Sequence, residues 1–190
     1  MMPETLSQDD QTILLKLARQ RMTLAVREKK RLILDLQTYS PMLQQPGASF
    51  VTLTIEDGLR GCIGALEAYQ PLVEDVVEHA IGAALEDYRF LPVSPNELDR
   101  IKIEISRLTQ PQPLSYTDSR DLIARLHPGQ DGVILKDGVR RATFLPQVWE
   151  KLPDPEQFLG NLCEKMGAPY NLWQHKPLQV LIYQVEEFHE

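Results

Sequence analysis

Arg60 and Cys62 stand two residues apart in the hexapeptide LRGCIG, Leu59 to Gly64, with Gly58, Gly61 and Gly64 around them. In an extended strand residues two apart share a face, so guanidinium and thiol would project together while Leu59, Gly61 and Ile63 point the other way. A cation beside a thiol favours the thiolate, which is the nucleophilic and metal-binding form. Gly61 and Gly64 remove bulk next to the pair and let a ligand, a helix or another backbone come close. Two readings stay open. Either the strand is the floor of a pocket with a cation and an activated sulfur, or Cys62 is a small buried hydrophobe and the glycines only admit a helix.

A thiol nucleophile needs a base. Of the four histidines, His79 falls inside a helical segment, and neither it nor His189 suggests a site; the others are His127 and His175. His127 sits in LHPGQDG, where Pro128, two glycines and Asp131 make a loop able to present an imidazole and a carboxylate at a surface. The same composition also makes an ordinary turn histidine. In LEDYRFLPV, Glu86, Asp87 and Arg89 read as a helix-end charge cluster, with Arg89 suited to the negative end of the dipole. In RRATFLPQVW, Arg140, Arg141, Thr143 and Gln147 could orient a small polar ligand or simply keep an edge strand soluble. The candidate catalytic set is therefore Cys62, Arg60 and His127, and the candidate ligand-binding set is Gly61, Gly64, Arg89, Asp131, Thr143 and Gln147. Cys62 and Cys163 are far apart with no CxxC spacing, and no His-Glu zinc helix, phosphate loop or serine elbow occurs, so no metal and no cofactor is assigned. Cys163 lies in a helical apolar stripe and reads as core.

The elements that must position these residues follow from periodicity. Ser7, Asp9 and Asp10 mark a helix start, and Ile13, Leu14, Leu17, Ala18, Met22, Ala25 and Val26 recur at helical spacing, with Leu32, Ile33 and Leu36 as a continuation. FVTLTI, Phe50 to Ile55, alternates as a strand; the chain turns at Glu56-Asp57-Gly58 and LRGCIGAL returns as the second arm of a hairpin. Pro71 opens a helix whose stripe runs from Leu72 to Leu85. IKIEISRL is a strand with one wet face, and TQPQPLSYTD, with two prolines, is a lobe boundary near residues 109–117. A short helix SRDLIARL, a hairpin turning on Asp137-Gly138, a helix capped by Asp154 and closed by Gly167, and a final strand LQVLIYQVEEF complete the chain. The class is α+β, a mainly antiparallel sheet flanked by helices, as a single domain over 11–190 with 1–10 as lead-in.

A chain of 190 residues with 43% hydrophobic and 25% charged residues is long enough for a sizeable core. The formal net charge of -7 offers no global attraction to nucleic acid or anionic membrane, although Arg19, Arg21, Arg27, Lys29, Lys30 and Arg31 crowd the first helix. The opening MMPETLSQDD lacks a signal pattern, no run of about eighteen apolar residues occurs, and cysteine usage fits a reducing compartment, so the chain reads as cytoplasmic.

Taken together, FVTLTIEDGLRGCIGAL, PLVEDVVEHAIGAALEDYRFLPVSPNELDRIKIEIS, HPGQDGVILKDGVRRATFLPQVW and FLGNLCEKMGAP resemble the AMMECR-type domain family, also called AmmeMemoRadiSam system protein A. The likeness runs from about Gln11 to Glu190, and LRGCIG is the family hallmark; Tyr88 departs from a proline common before Arg-Phe. The resemblance implies a larger and a smaller lobe with a cleft that the hallmark helps to line. It implies no settled activity. MEMO-type and radical S-adenosylmethionine proteins are the partners it points to, in a common modification or redox pathway, with a substrate or partner bound in the cleft. The alternative is a cysteine-dependent enzyme in which Cys62 is nucleophile, Arg60 the activating or anion-binding cation and His127 the base. A small-molecule ligand fits either; a membrane partner and direct nucleic-acid binding do not.

Overall fold

The computed structural model describes residues 5–31 and 33–190. They divide into two compact units, one taking the chain through Thr109 and again over Glu186–Glu190, the other Gln110–Val185.

The first unit opens with α1 (Gln8–Glu28), capped by the Ser7 hydroxyl, which accepts the Asp10 N–H at 3.1 Å. Leu14, Leu17, Ala18, Met22, Ala25 and Val26 are its buried stripe. The expected continuation fails. Lys29 adopts a left-handed φ of 52° and ends the helix, Ile33 is exposed and Leu36 starts a separate 3-10 turn; Leu32 lies outside the described residues. The charged run Glu28 to Arg31 interrupts the apolar stripe, so nothing there draws a further turn into the core.

After α2 (Pro41–Gln44) come the hairpin strands β1 (Pro46–Ile55) and β2 (Gly58–Gly64), the short β3 (Gln70–Pro71) and α3 (Leu72–Leu85). Then follow β4 (Lys102–Leu108) and, from the other end of the chain, β9 (Val185–His189). The sheet order is β2-β1-β4-β9, with β3 on β1. Val51, Leu53, Ile103 and Ile105 point to one side and join Leu14 and Met22 of α1 and Val73, Val76 and Ala80 of α3 in one core. At β2 the packing is closest. A Cβ on Gly61 would lie 2.1 Å from the Ala83 carbonyl oxygen of α3, and one on Gly82 would meet Ile63 at 3.3 Å. Helix and strand thus touch backbone to backbone, which only glycine permits.

The second unit holds β5 (Gln112–Pro113), α4 (Ser119–Arg125), β6 (Gly132–Asp137), β7 (Arg140–Phe144), α5 (Pro155–Lys165), α6 (Leu172–His175) and β8 (Gln179–Tyr183), with sheet order β5-β8-β6-β7. Asp137 pairs with Arg140, so the hairpin turns on Gly138-Val139, one residue later than expected, with Gly138 at φ 61°. Asp154 accepts the Gln157 N–H as cap of α5, and Gly167, φ 76°, follows its end. Cys163 is fully buried beside Phe158, Leu159 and Leu162, as its stripe implied. The final strand is two strands rather than one: β8 belongs to this sheet and β9 to that of the first unit. A continuous apolar-rich run carries no mark of which sheet each half joins.

Gly61→Ala is expected to cost about 3 kcal/mol, since a backbone oxygen must move. Gly58→Ala, whose Cβ would meet one backbone oxygen at 3.3 Å at the exposed start of β2, should stay within about 1 kcal/mol. Urea midpoints of the two variants check the ranking, and equal losses would remove the packing role of Gly61.

Candidate functional site

Cys62 lies on β2, the edge strand, opposite Thr52 of β1, which in turn lies opposite Glu104 of β4. Strand alternation puts these three side chains on the sheet face turned away from α3, where all are half-buried. The Thr52 hydroxyl donates to Cys62 Sγ at 3.4 Å. Core-facing and outward-facing residues therefore alternate along one short strand: Gly61 admits the helix and Cys62 faces out.

Arg60 departs from that alternation. Leu53 pairs with Gly61 and Thr54 with Leu59, so Arg60 has no partner on β1 and forms a bulge. One consequence corrects the strand reading: Leu59 is 47% exposed instead of anchoring the inner face. The other concerns charge. Arg60, its side chain 16% exposed, donates from Nε to Glu97 Oε1 at 2.7 Å and from Nη2 to the Leu91 carbonyl at 2.9 Å. That guanidinium, ahead of the Ser94 N–H, holds the Glu97 carboxyl down to about 2. Among the described residues its buried Nη1 has no acceptor, and its Cζ sits 5.9 Å from the Phe90 ring centroid. The expected activating cation is thus bound to a carboxylate.

Arg89 is placed by the strand edge. Its Nη2 donates to the Cys62 carbonyl at 3.2 Å and to Asp87 Oδ2 at 2.7 Å, while Asp87 Oδ2 accepts the Cys62 N–H at 2.9 Å. Both outward backbone groups of Cys62 are therefore paired, which blunts the edge. The Arg89 guanidinium holds Asp87 well below the usual carboxylate range, against burial, with the Cys62 and Arg89 N–H groups helping. Gly64 is a packing residue as well, since a Cβ there would fall 2.3 Å from the Phe50 ring.

His127, Asp131, Thr143 and Gln147 belong to the second unit, and Cys62 to the first. Asp131 Oδ2 accepts the His127 N–H at 2.8 Å and lies 3.1 Å from its Nδ1. Thr143 Oγ1 is 3.0 Å from the Tyr183 hydroxyl, and Gln147 is exposed on a 3-10 turn. Among the described residues no group of three or more His, Cys, Asp and Glu could hold a metal ion, and no helix is long and apolar enough to cross a membrane. Sequence reasoning missed Glu97 as the partner of Arg60 and Thr52 as the partner of Cys62. Thr52 was legible on the polar face of its strand; Glu97, 37 residues from Arg60, carried only a capping-box signal in SPNE.

Asp87→Ala should destabilise the protein by about 2–4 kcal/mol, because it strips the acceptor from a strand N–H and from Arg89. Tyr88→Ala, on an exposed side chain, should change stability by less than about 0.5 kcal/mol. Asp87 and Glu97 are both depressed in the fold, so their stabilisation is complete above the unfolded carboxylate value, about 4. It is lost as pH falls from there through the folded values. Thermal midpoints between about pH 2 and 7 should fall on the acid side, and less steeply in Glu97→Gln; an unchanged acid limb in that variant would contradict the assignment.

The AMMECR1 family model matches residues 15–188. A protein of Methanothermobacter thermautotrophicus is 39% identical over 186 residues, covering 97% of this chain and 96% of its own. One of Thermofilum pendens is 36% identical over 200 residues, covering 97% and 92%. The crystal structure of an uncharacterised protein from Pyrococcus horikoshii superposes with a TM-score of 0.76 at 30% identity, covering 97% of this chain and 93% of that one. With its two antiparallel sheets and these matches over nearly its whole length, the chain belongs to the AMMECR1 family.

Proposed function

We propose that this AMMECR1-family protein is a cytoplasmic binding component of a modification or redox pathway, with MEMO-type and radical S-adenosylmethionine proteins as its partners. The outward face of β1, β2 and β4 around Cys62 receives the substrate or partner segment. The Arg60–Glu97 ion pair carries the choice of a binding role over a nucleophilic one. A guanidinium held by two carboxylate oxygens and a carbonyl has little charge left to stabilise a thiolate. What remains on the face is a thiol, a hydroxyl and a carboxylate in a row across three strands, a surface suited to recognition. One observation favours the cysteine-dependent enzyme as a second reading: the Cys62 sulfur lies on the outward, half-buried face, oriented by the Thr52 hydroxyl that donates to it at 3.4 Å.

Alkylation of Cys62 by iodoacetamide across pH, in the parent and in Arg60→Ala, separates the two; Cys163, fully buried, stays unlabelled until unfolding. The binding reading expects the same rate-against-pH profile in both proteins. Fast labelling below about pH 8 that slows in Arg60→Ala would hand the site to the enzyme reading. For partners, co-expression with MEMO-type and radical S-adenosylmethionine proteins should yield a complex that Thr52→Arg, on the outward face, weakens at least about tenfold. Clean absence of a complex with either class would overturn the partner assignment.

A further inference from the structure

We infer that His127 and Asp131 form a reactive site inside the unit Gln110–Val185. A buried carboxylate holds the imidazole so that Nε2 offers its lone pair to an electrophilic or proton-donating small molecule. Asp131 is 1% exposed and the His127 side chain 65%. An ionised carboxylate only accepts, so Nδ1 must carry the hydrogen that spans the 3.1 Å to Oδ2, and the neutral ring keeps its lone pair on Nε2. The tautomer is thus set by the partner.

The loop that builds the pair is closed on itself and tied to the core. Gln130 and Asp131 N–H both donate to the His127 carbonyl, at 3.1 and 3.0 Å, around Gly129 at φ 80°. The Asp131 carbonyl accepts the Trp149 indole N–H at 2.7 Å, and that indole stacks on Phe158 with centroids 3.7 Å apart. Asp131 is therefore tied through its backbone to the hydrophobic core, with its carboxylate buried, while the ring stands in solvent.

Two other histidines show what is particular here. His79 has the same spacing to a carboxylate, Asp75 at 3.2 Å, but it is buried in the first unit. His175 is exposed, yet its Nε2 lies 3.3 Å from the Asn171 amide nitrogen. His127 combines an oriented ring with an open Nε2. When that nitrogen bonds to an electrophile or a proton, the positive charge on the ring is matched by the carboxylate already behind it.

The probe is 4-nitrophenyl acetate, applied to the Cys62→Ser protein so that the thiol does not contribute. Nε2 bonds to the acetyl carbon and 4-nitrophenolate leaves with the electron pair, giving an acetyl-imidazolium that keeps its hydrogen on Nδ1; water then adds to the acetyl carbon, acetate leaves, two protons pass to solvent and the neutral ring is restored. His127→Gln should remove most of the nitrophenolate release, Asp131→Asn should slow it about tenfold, and His175→Ala should leave it unchanged. Because Asp131→Asn removes a buried charge and risks unfolding, the parent is also read directly by long-range nitrogen-15 NMR at alkaline pH. The hydrogen on Nδ1 of His127 is the expected form. A dominant Nε2–H form, or release in His127→Gln within about twofold of its parent, would overturn the inference.

Discussion

The strand β2 depends on one carboxylate. Asp87, its side chain 2% exposed, accepts the Cys62 N–H, the Arg89 N–H and two nitrogens of the Arg89 guanidinium. It stands two residues past the end of α3, so a helix that is already pressed against β2 at Gly61 also delivers the acceptor that satisfies the strand's open edge. Without such a partner the outward N–H and C=O of Cys62 would be a template for another strand. The charge on Asp87 is sustainable under that burial because a guanidinium neutralises it and several donors share it.

Within this clamp the two chemical groups of LRGCIG take separate roles. The bulge lifts Arg60 out of the ladder and gives it to Glu97 and the Leu91 carbonyl, which fastens the segment after α3 to the strand. Arg60 and Arg89 both lie within cation–π range of Phe90, at 5.9 and 5.6 Å. The guanidiniums and the glycines thereby hold the frame, and the thiol is the part of the motif that the frame displays.

Periodicity made most of the elements legible. The helical stripe from Leu14 to Val26, the alternation of FVTLTI and IKIEISRL, and the Asp154 cap with Gly167 appear where residue types dictate them, because each signal is local. The failures are of another kind. The end of α1 turned on a left-handed Lys29 instead of a glycine, and the last run of apolar residues divides between two sheets at Gln184. Same-face projection of Arg60 and Cys62 assumed an unbroken ladder, and a bulge that needs Leu53 opposite Gly61 is a property of two strands at once. The Arg60–Glu97 pair likewise joins residues that no window contains.

The candidate site divides along the same line. His127 and Asp131, four residues apart in one loop, were legible as a pair because a loop of that length must bring them near each other. Cys62 and Thr52 are ten residues apart but opposite in register, so their contact followed only once the hairpin was aligned. What distinguishes Cys62 from an inert core cysteine is therefore the side of the strand on which it falls. Gly61 settles that side: its α-carbon must face Ala83 of α3, and the next residue must face away.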